Sequence, residues 1–143
     1  AKRVKGRKRH LVVDTLGLMI MVIVHRADID ERRGGRYLLL RIASRIADFA
    51  RLRVFFADQG YGGPNMREWV SSTFPRWGWR LEIINKIYKK VFVALPKRWI
   101  VERTFGWFNL YRRLSKDYEL STKSAETMIQ ITMIHIMLKK LSK

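Results

Sequence analysis

The chain has 143 residues, 48% of them apolar and none of them cysteine, and carries a formal charge of +18 from 30 Lys and Arg against 12 Asp and Glu. That length and apolar content support a packed domain and exclude compositional disorder. The lack of cysteine excludes a disulfide framework or a thiolate metal centre and fits a reducing cytoplasm. The longest apolar run, Leu16 to Val24, falls well short of the ~20 residues of a membrane helix, and no signal-peptide pattern follows the basic N-terminus. So large a positive excess points to a polyanionic partner, with nucleic acid ahead of an anionic membrane surface or an RNA scaffold.

In chain order, residues 1–9 hold six cations, among them Lys5, Arg7, Lys8 and Arg9. They read either as a solvated tail or as an arm on a nucleic-acid backbone. His10 to Asp14 reads as a strand, Thr15 to Gly17 as a tight turn, and Leu18 to His25 as a second strand whose unbroken apolar run predicts burial on both faces. Asp28 to Gly35 reads as a charged loop. Leu39, Ile42, Ile46 and Phe49 then recur at helical spacing and predict a helix over 36–50.

Leu52 to Ala57 is a third strand, rich in β-branched and aromatic residues. It runs into Asp58 and a glycine-rich turn. A short helix from Pro64 follows, with Met66, Trp69 and Val70 inward, and then a fourth strand at Arg80 to Asn85. Lys86 to Lys97 is basic and irregular, with a possible strand at Val91 to Val93.

Pro96 to Tyr118 reads as one long helix opened by proline. Val101, Phe105, Phe108 and Tyr111 form its apolar stripe. Glu102 lies on another stripe with Arg98, Gly106, Asn109 and Arg113. Ser121 or Thr122 caps a last helix to about Lys140 that is apolar nearly all round, as at a core or a subunit interface. Its methionines read as core filler. The order of elements predicts an α/β fold with a mixed sheet flanked by helices in a single domain, residues 1–143.

Two acidic positions stand out. Asp58 follows a hydrophobic strand and precedes three glycines, where an α/β sheet displays a catalytic carboxylate and a ligand backbone can approach closely. Its other reading is an Asx-turn residue. Glu102 is a lone carboxylate on a basic or small face, beside a glycine that costs helix stability of roughly 1 kcal/mol. Its other reading is a solvated pair with Arg98. Two carboxylates in a basic domain suit Mg²⁺- or Mn²⁺-dependent phosphoryl transfer.

Asp14 reads as a turn residue, with a role in an active site as its other reading. His10, His25 and His135 show no metal-ligand spacing and read as structural. Trp99, Phe105, Trp107 and Phe108 read mostly as core, with one or two able to stack on bases. There is no phosphate-loop, dinucleotide or Ser–His–Asp pattern.

Three segments, KGRKRHLVVDTLG (5–17), ADQGYGG (57–63) and WIVERTFGWFNLYRRLSKDYE (99–119), resemble in order the insertion-sequence transposases of the DDE class, in the IS-five-type branch. The resemblance implies a ribonuclease-H-like catalytic domain that cleaves and transfers DNA strands with Mg²⁺ or Mn²⁺. By motif position it makes Asp58 and Glu102 the second and third acidic residues. Arg98 and Arg103 become phosphate contacts, and Arg112 and Arg113 DNA contacts.

The resemblance places the first aspartate on a strand upstream of this sequence, so the chain is expected to correspond to the C-terminal part of the catalytic domain and to be inactive without that segment. It further implies a homodimer in a synaptic complex with transposon ends and target DNA, in a cytoplasmic, nucleoid-associated protein. The alternatives are a non-catalytic basic nucleic-acid-binding protein derived from a transposase and, behind it, a structural protein of a ribonucleoprotein.

Overall fold

The computed structural model describes residues 6–84 and 99–142. Lys5, Arg98 and the expected strand at Val91 to Val93 lie outside the described residues. The chain packs as two compact units, Ala1–Asp30 with Ile100–Lys143, and Glu31–Trp99.

The first unit begins with an antiparallel hairpin, β1 (Arg7–Val13) and β2 (Met19–Arg26), in the register His10 opposite Ile23. β1 starts earlier than the hydrophobic pattern alone indicates, because Arg7 and Arg9 spend their guanidinium groups on the fold. Arg7 donates to the carbonyls of Glu119 and Leu120, both at 2.7 Å, and Arg9 to that of Leu114 at 3.0 Å. Lys8 Nζ donates to the carbonyl of Ile29 at 2.8 Å.

β2 is buried from Met21 through His25, as its unbroken apolar run predicts. Its Val22 and Val24 share a core with Phe108, Leu114, Ala125, Ile129, Met133 and Ile136. His10 and His25 are buried as a diagonal pair, His25 lying two residues beyond the Ile23 that faces His10, with rings stacked at 4.5 Å, so two histidines that look scattered in sequence form a pair.

The expected long helix is two. α3 (Trp99–Asn109) ends in a tightened turn at Leu110 and Tyr111, and α4 (Arg112–Ser115) follows. The break has a packing reason. In a straight helix Phe108 and Leu114 would point about 120° apart, whereas both are buried in the one core. Arg113 therefore leaves the helix that carries Glu102. α5 (Thr122–Leu141) starts where expected, with Ser121 Oγ accepting the Ser124 N–H at 2.9 Å. It lies against β2, and Glu126 Oε1 accepts the Val24 N–H at 2.9 Å, satisfying a donor on the edge of a two-stranded sheet.

In the second unit α1 spans Glu31–Ala43, five residues ahead of the expected start, and gives way to a 3₁₀ turn at Ile46–Phe49. The glycine pair that looks like a loop lies inside the helix and is buried, because Tyr61 packs against it. A Cβ on Gly35 would sit 2.8 Å from Tyr61 Cδ1. β3 (Val54–Ala57), α2 (Pro64–Thr73) and β4 (Arg80–Ile83) form a βαβ unit with the two strands parallel, Phe55 opposite Leu81. Trp79, 1% exposed, anchors an aromatic cluster with Phe55, Phe74 and Trp77 at ring distances of 5.0, 4.8 and 5.1 Å. Among the described residues the strands thus form two small sheets, one antiparallel and one parallel.

Candidate active site

Asp58 sits at the carboxyl end of β3, exposed, and caps the 3₁₀ turn Gln59–Tyr61. Its Oδ1 accepts the Gly60 N–H at 3.0 Å. The Tyr61 N–H reaches the Asp58 carbonyl at 3.2 Å, and the Gly62 N–H reaches the Gln59 carbonyl at 2.9 Å. The turn role and the display of a carboxylate are therefore compatible. One oxygen shapes the turn, and the group as a whole faces solvent.

A second carboxylate borders the same spot. A Cβ on Gly60 would lie 3.1 Å from Asp58 Oδ1 and 3.4 Å from Glu31 Cγ. Tyr61 stands beside both. Burial first, and then the negative charges of Asp58 and Glu31, push its hydroxyl well above the usual phenol range, so it stays a neutral phenol at physiological pH. The sequence pattern hides Glu31 because the apolar period that marks α1 begins only at Leu39, eight residues further on. The signal was there in an acidic residue followed by a helical run whose glycines need a close partner.

Glu102 belongs to the first unit, exposed in the first turn of α3. The hairpin turn holds this helix in place. Thr104, fully buried, donates to the Gly17 carbonyl at 2.8 Å, and Arg103 donates to that of Leu16 at 2.8 Å while its guanidinium lies 5.1 Å from the Trp107 ring. Gly17 has φ +82, and a Cβ there would come within 2.9 Å of Thr104 Oγ1. Asp14 closes the turn, its Oδ1 accepting the N–H groups of Leu16 and Leu18, both at 2.8 Å. One turn beyond Glu102, Gly106 faces open space, with nothing within 4 Å of a Cβ.

The basic candidates divide. Arg7, Lys8, Arg9 and Arg103 reach backbone carbonyls, and Arg113 pairs with Glu119 at 2.6 Å. Arg112 is exposed and makes no side-chain ion pair or hydrogen bond among the described residues.

The family model described as Transposase DDE domain matches residues 1–137. The chain belongs to that family. No curated protein and no solved structure matches it. As a transposase DDE domain, the chain has DNA as its partner and DNA transposition as its process. Domains of this family generally use divalent metals, and the donors at Asp58 suit one. They are hard carboxylate oxygens, exposed, with one Asp58 oxygen left over from the turn and Glu31 alongside. Among the described residues no three His, Cys, Asp or Glu side chains are grouped closely enough to hold an ion by themselves. No helix among those residues is long and apolar enough to cross a membrane.

Proposed function

We propose that this transposase domain performs divalent-metal-dependent DNA strand cleavage and strand transfer, on a ribonuclease-H-like fold of the IS-five-type insertion-sequence branch. The observation that carries the reading is Asp58, an exposed carboxylate at the carboxyl end of a parallel strand, beside a glycine turn open to a ligand backbone. Asp58 and Glu102 would hold Mg²⁺ or Mn²⁺. When bound, the ion supplies activation of a water or 3′-hydroxyl and stabilisation of the leaving oxygen. Asp58 keeps one oxygen on the Gly60 N–H, so its orientation is set before any ion arrives.

Arg112, exposed and without a side-chain ion pair or hydrogen bond among the described residues, would take DNA phosphates together with Lys5, Arg7, Lys8, Arg9, Arg98, Arg103 and Arg113. The outer face of α5 supports pairing of two copies in a synaptic complex. Ile131, Ile134, Leu138 and Leu141 are 53, 56, 61 and 84% exposed at the spacing of an apolar seam.

A structure of the chain soaked in Mn²⁺ and read by anomalous scattering tests the reading. The expected result is a peak shared by Asp58 and Glu102. Carboxylates more than about 10 Å apart, with no hinge between them, would sink the shared site.

A further inference from the structure

A cleft opens at the carboxyl ends of β3 and β4, the edge at which parallel sheets take their ligands. It is lined by Gln59, Gly62, Gly63, Pro64, Arg67 and Ile83. Its glycine wall is bare backbone for a steric reason. A Cβ on Gly62 would stand 2.9 Å from the Gln59 carbonyl oxygen, and Gly63 has φ +132, which side chains rarely adopt. Arg32 Nη1, from α1, lies 3.4 Å from where a Gly63 Cβ would be, and Arg67, from α2, lines the cleft.

Position sets these two arginines apart rather than freedom alone, because Arg51, Arg76 and Arg80 are likewise exposed and make no side-chain ion pair or hydrogen bond among the described residues. In the same unit Arg33 donates to the Tyr37 hydroxyl, Arg36 lies over Trp69, Arg45 pairs with Asp48, and Arg53 donates to backbone carbonyls. Arg32 and Arg67 are exposed and make no ion pair or hydrogen bond among the described residues. Two guanidinium groups from different helices therefore flank a bare glycine strip that begins at Asp58.

We propose that this cleft seats the sugar–phosphate backbone of a DNA strand, with Arg32 and Arg67 on its phosphates and Gly62–Gly63 against its sugar. The proposal rests on the transposase reading above and names the contacts of that site's substrate. Guanidinium groups match phosphate oxygens, and the glycine strip lets the strand come close enough for those contacts to form. The cleft is open and offers no buried donor to enclose a small anion. A polyanion, which also meets the rest of a +18 chain, is the ligand that two exposed arginines can hold.

The test uses the full chain in EDTA, so that no metal takes part, with a short DNA duplex followed by fluorescence anisotropy across a salt series. Replacing both arginines, Arg32→Gln with Arg67→Gln, is expected to weaken binding and to flatten the slope of log Kd against log salt by about 1.8, roughly 0.9 per lost phosphate contact. The control pair Arg51→Gln with Arg76→Gln removes the same charge from exposed positions of the same unit that neither line the cleft, as Arg67 does, nor stand against Gly63, as Arg32 does. It should change the slope by less than half as much. Equal effects from the two pairs would reduce the cleft to bulk charge and overturn the proposal.

Backbone amide shifts of Gly62 and Gly63 provide a second readout. Duplex DNA should move them and inorganic phosphate should not. Equal shifts with phosphate would make this a small-anion pocket, and tighter arginine-dependent binding of RNA would move the assignment away from DNA. Both results count against the proposal. The slope change without a Mn²⁺ peak would end the catalytic reading and keep the cleft, while a peak without the slope change would do the reverse.

Discussion

Asp58 is held by what lies next to it in the chain, through its Oδ1 on the Gly60 N–H and the Tyr61 and Gly62 N–H groups on the carbonyls of Asp58 and Gln59. Glu102 is held from a distance. Its helix is fixed by Arg103 and Thr104 to the carbonyls of Leu16 and Gly17, 87 residues earlier. A local turn survives changes elsewhere, because its hydrogen bonds close short loops. The position of Glu102 depends on a turn that a single added methyl group can disturb. The two carboxylates should therefore fail in different ways when their supports are altered.

The largest effect expected is on metal binding. Asp58→Asn and Glu102→Gln should each weaken Mn²⁺ binding to the chain by about 10-fold or more in calorimetric titration, since each removes a hard carboxylate ligand. Equal Mn²⁺ affinity in either variant and the parent would break the pairing of these two residues.

The comparison of supports sharpens next. Gly17→Ala places a Cβ at positive φ and 2.9 Å from a buried hydroxyl, and should cost about 2–4 kcal/mol in denaturant unfolding. Thr104→Val leaves the Gly17 carbonyl without its donor and should cost about 1–3 kcal/mol. Neither should alter the Asp58 turn, whose amide shifts report it directly.

Two helical glycines give a change of sign. Gly106→Ala adds a methyl group to open space and should stabilise α3 by about 1 kcal/mol. If that face is reserved for DNA, strand cleavage falls while the melting temperature rises. Gly35→Ala gains the same propensity but drives a Cβ to 2.8 Å from the Tyr61 ring. It should destabilise the fold by about 1–3 kcal/mol and shift the Gly60 amide.

The smallest effect is at alkaline pH. The Tyr61 hydroxyl is raised by burial and by the Asp58 and Glu31 charges from an unfolded value of 10.0. Above that pH the unfolded chain loses this proton while the folded chain keeps it, so Tyr61 adds a loss of stability that begins near the unfolded value and grows with pH. Below it the residue contributes no pH dependence. Tyr61→Phe should flatten the alkaline limb of the stability curve relative to the parent, measured by urea unfolding at several pH values. An unchanged limb would mean the hydroxyl is not desolvated.

Much of this was legible without coordinates where a signal is local. The unbroken apolar run of β2 announced burial on both faces, Pro64 and Ser121 marked helix starts, and a strand ending in Asp58 and glycines marked an exposed turn. What was not legible depended on partners far along the chain. Gly34 and Gly35 read as loop because the ring that requires a glycine belongs to Tyr61. The basic residues 7–9 read as tail or arm because the carbonyls that accept from Arg7 and Arg9 lie more than 100 residues away. A long apolar period hid the break at Leu110, which only the shared core of Phe108 and Leu114 reveals.

The sequence by itself determined the charge that makes a polyanion the partner, the alternation of strands and helices, and the three ordered motifs that mark a DDE transposase. Each of these rests on composition or on residues close in the chain. Tertiary structure alone decided that Asp58 shares its surroundings with Glu31 and Tyr61, that the hairpin turn anchors the helix of Glu102, and that Arg32 and Arg67, without side-chain ion pairs or hydrogen bonds among the described residues, stand beside the Gly62–Gly63 strip. Those facts depend on which distant side chains meet, and meeting is settled by packing, which no local pattern encodes.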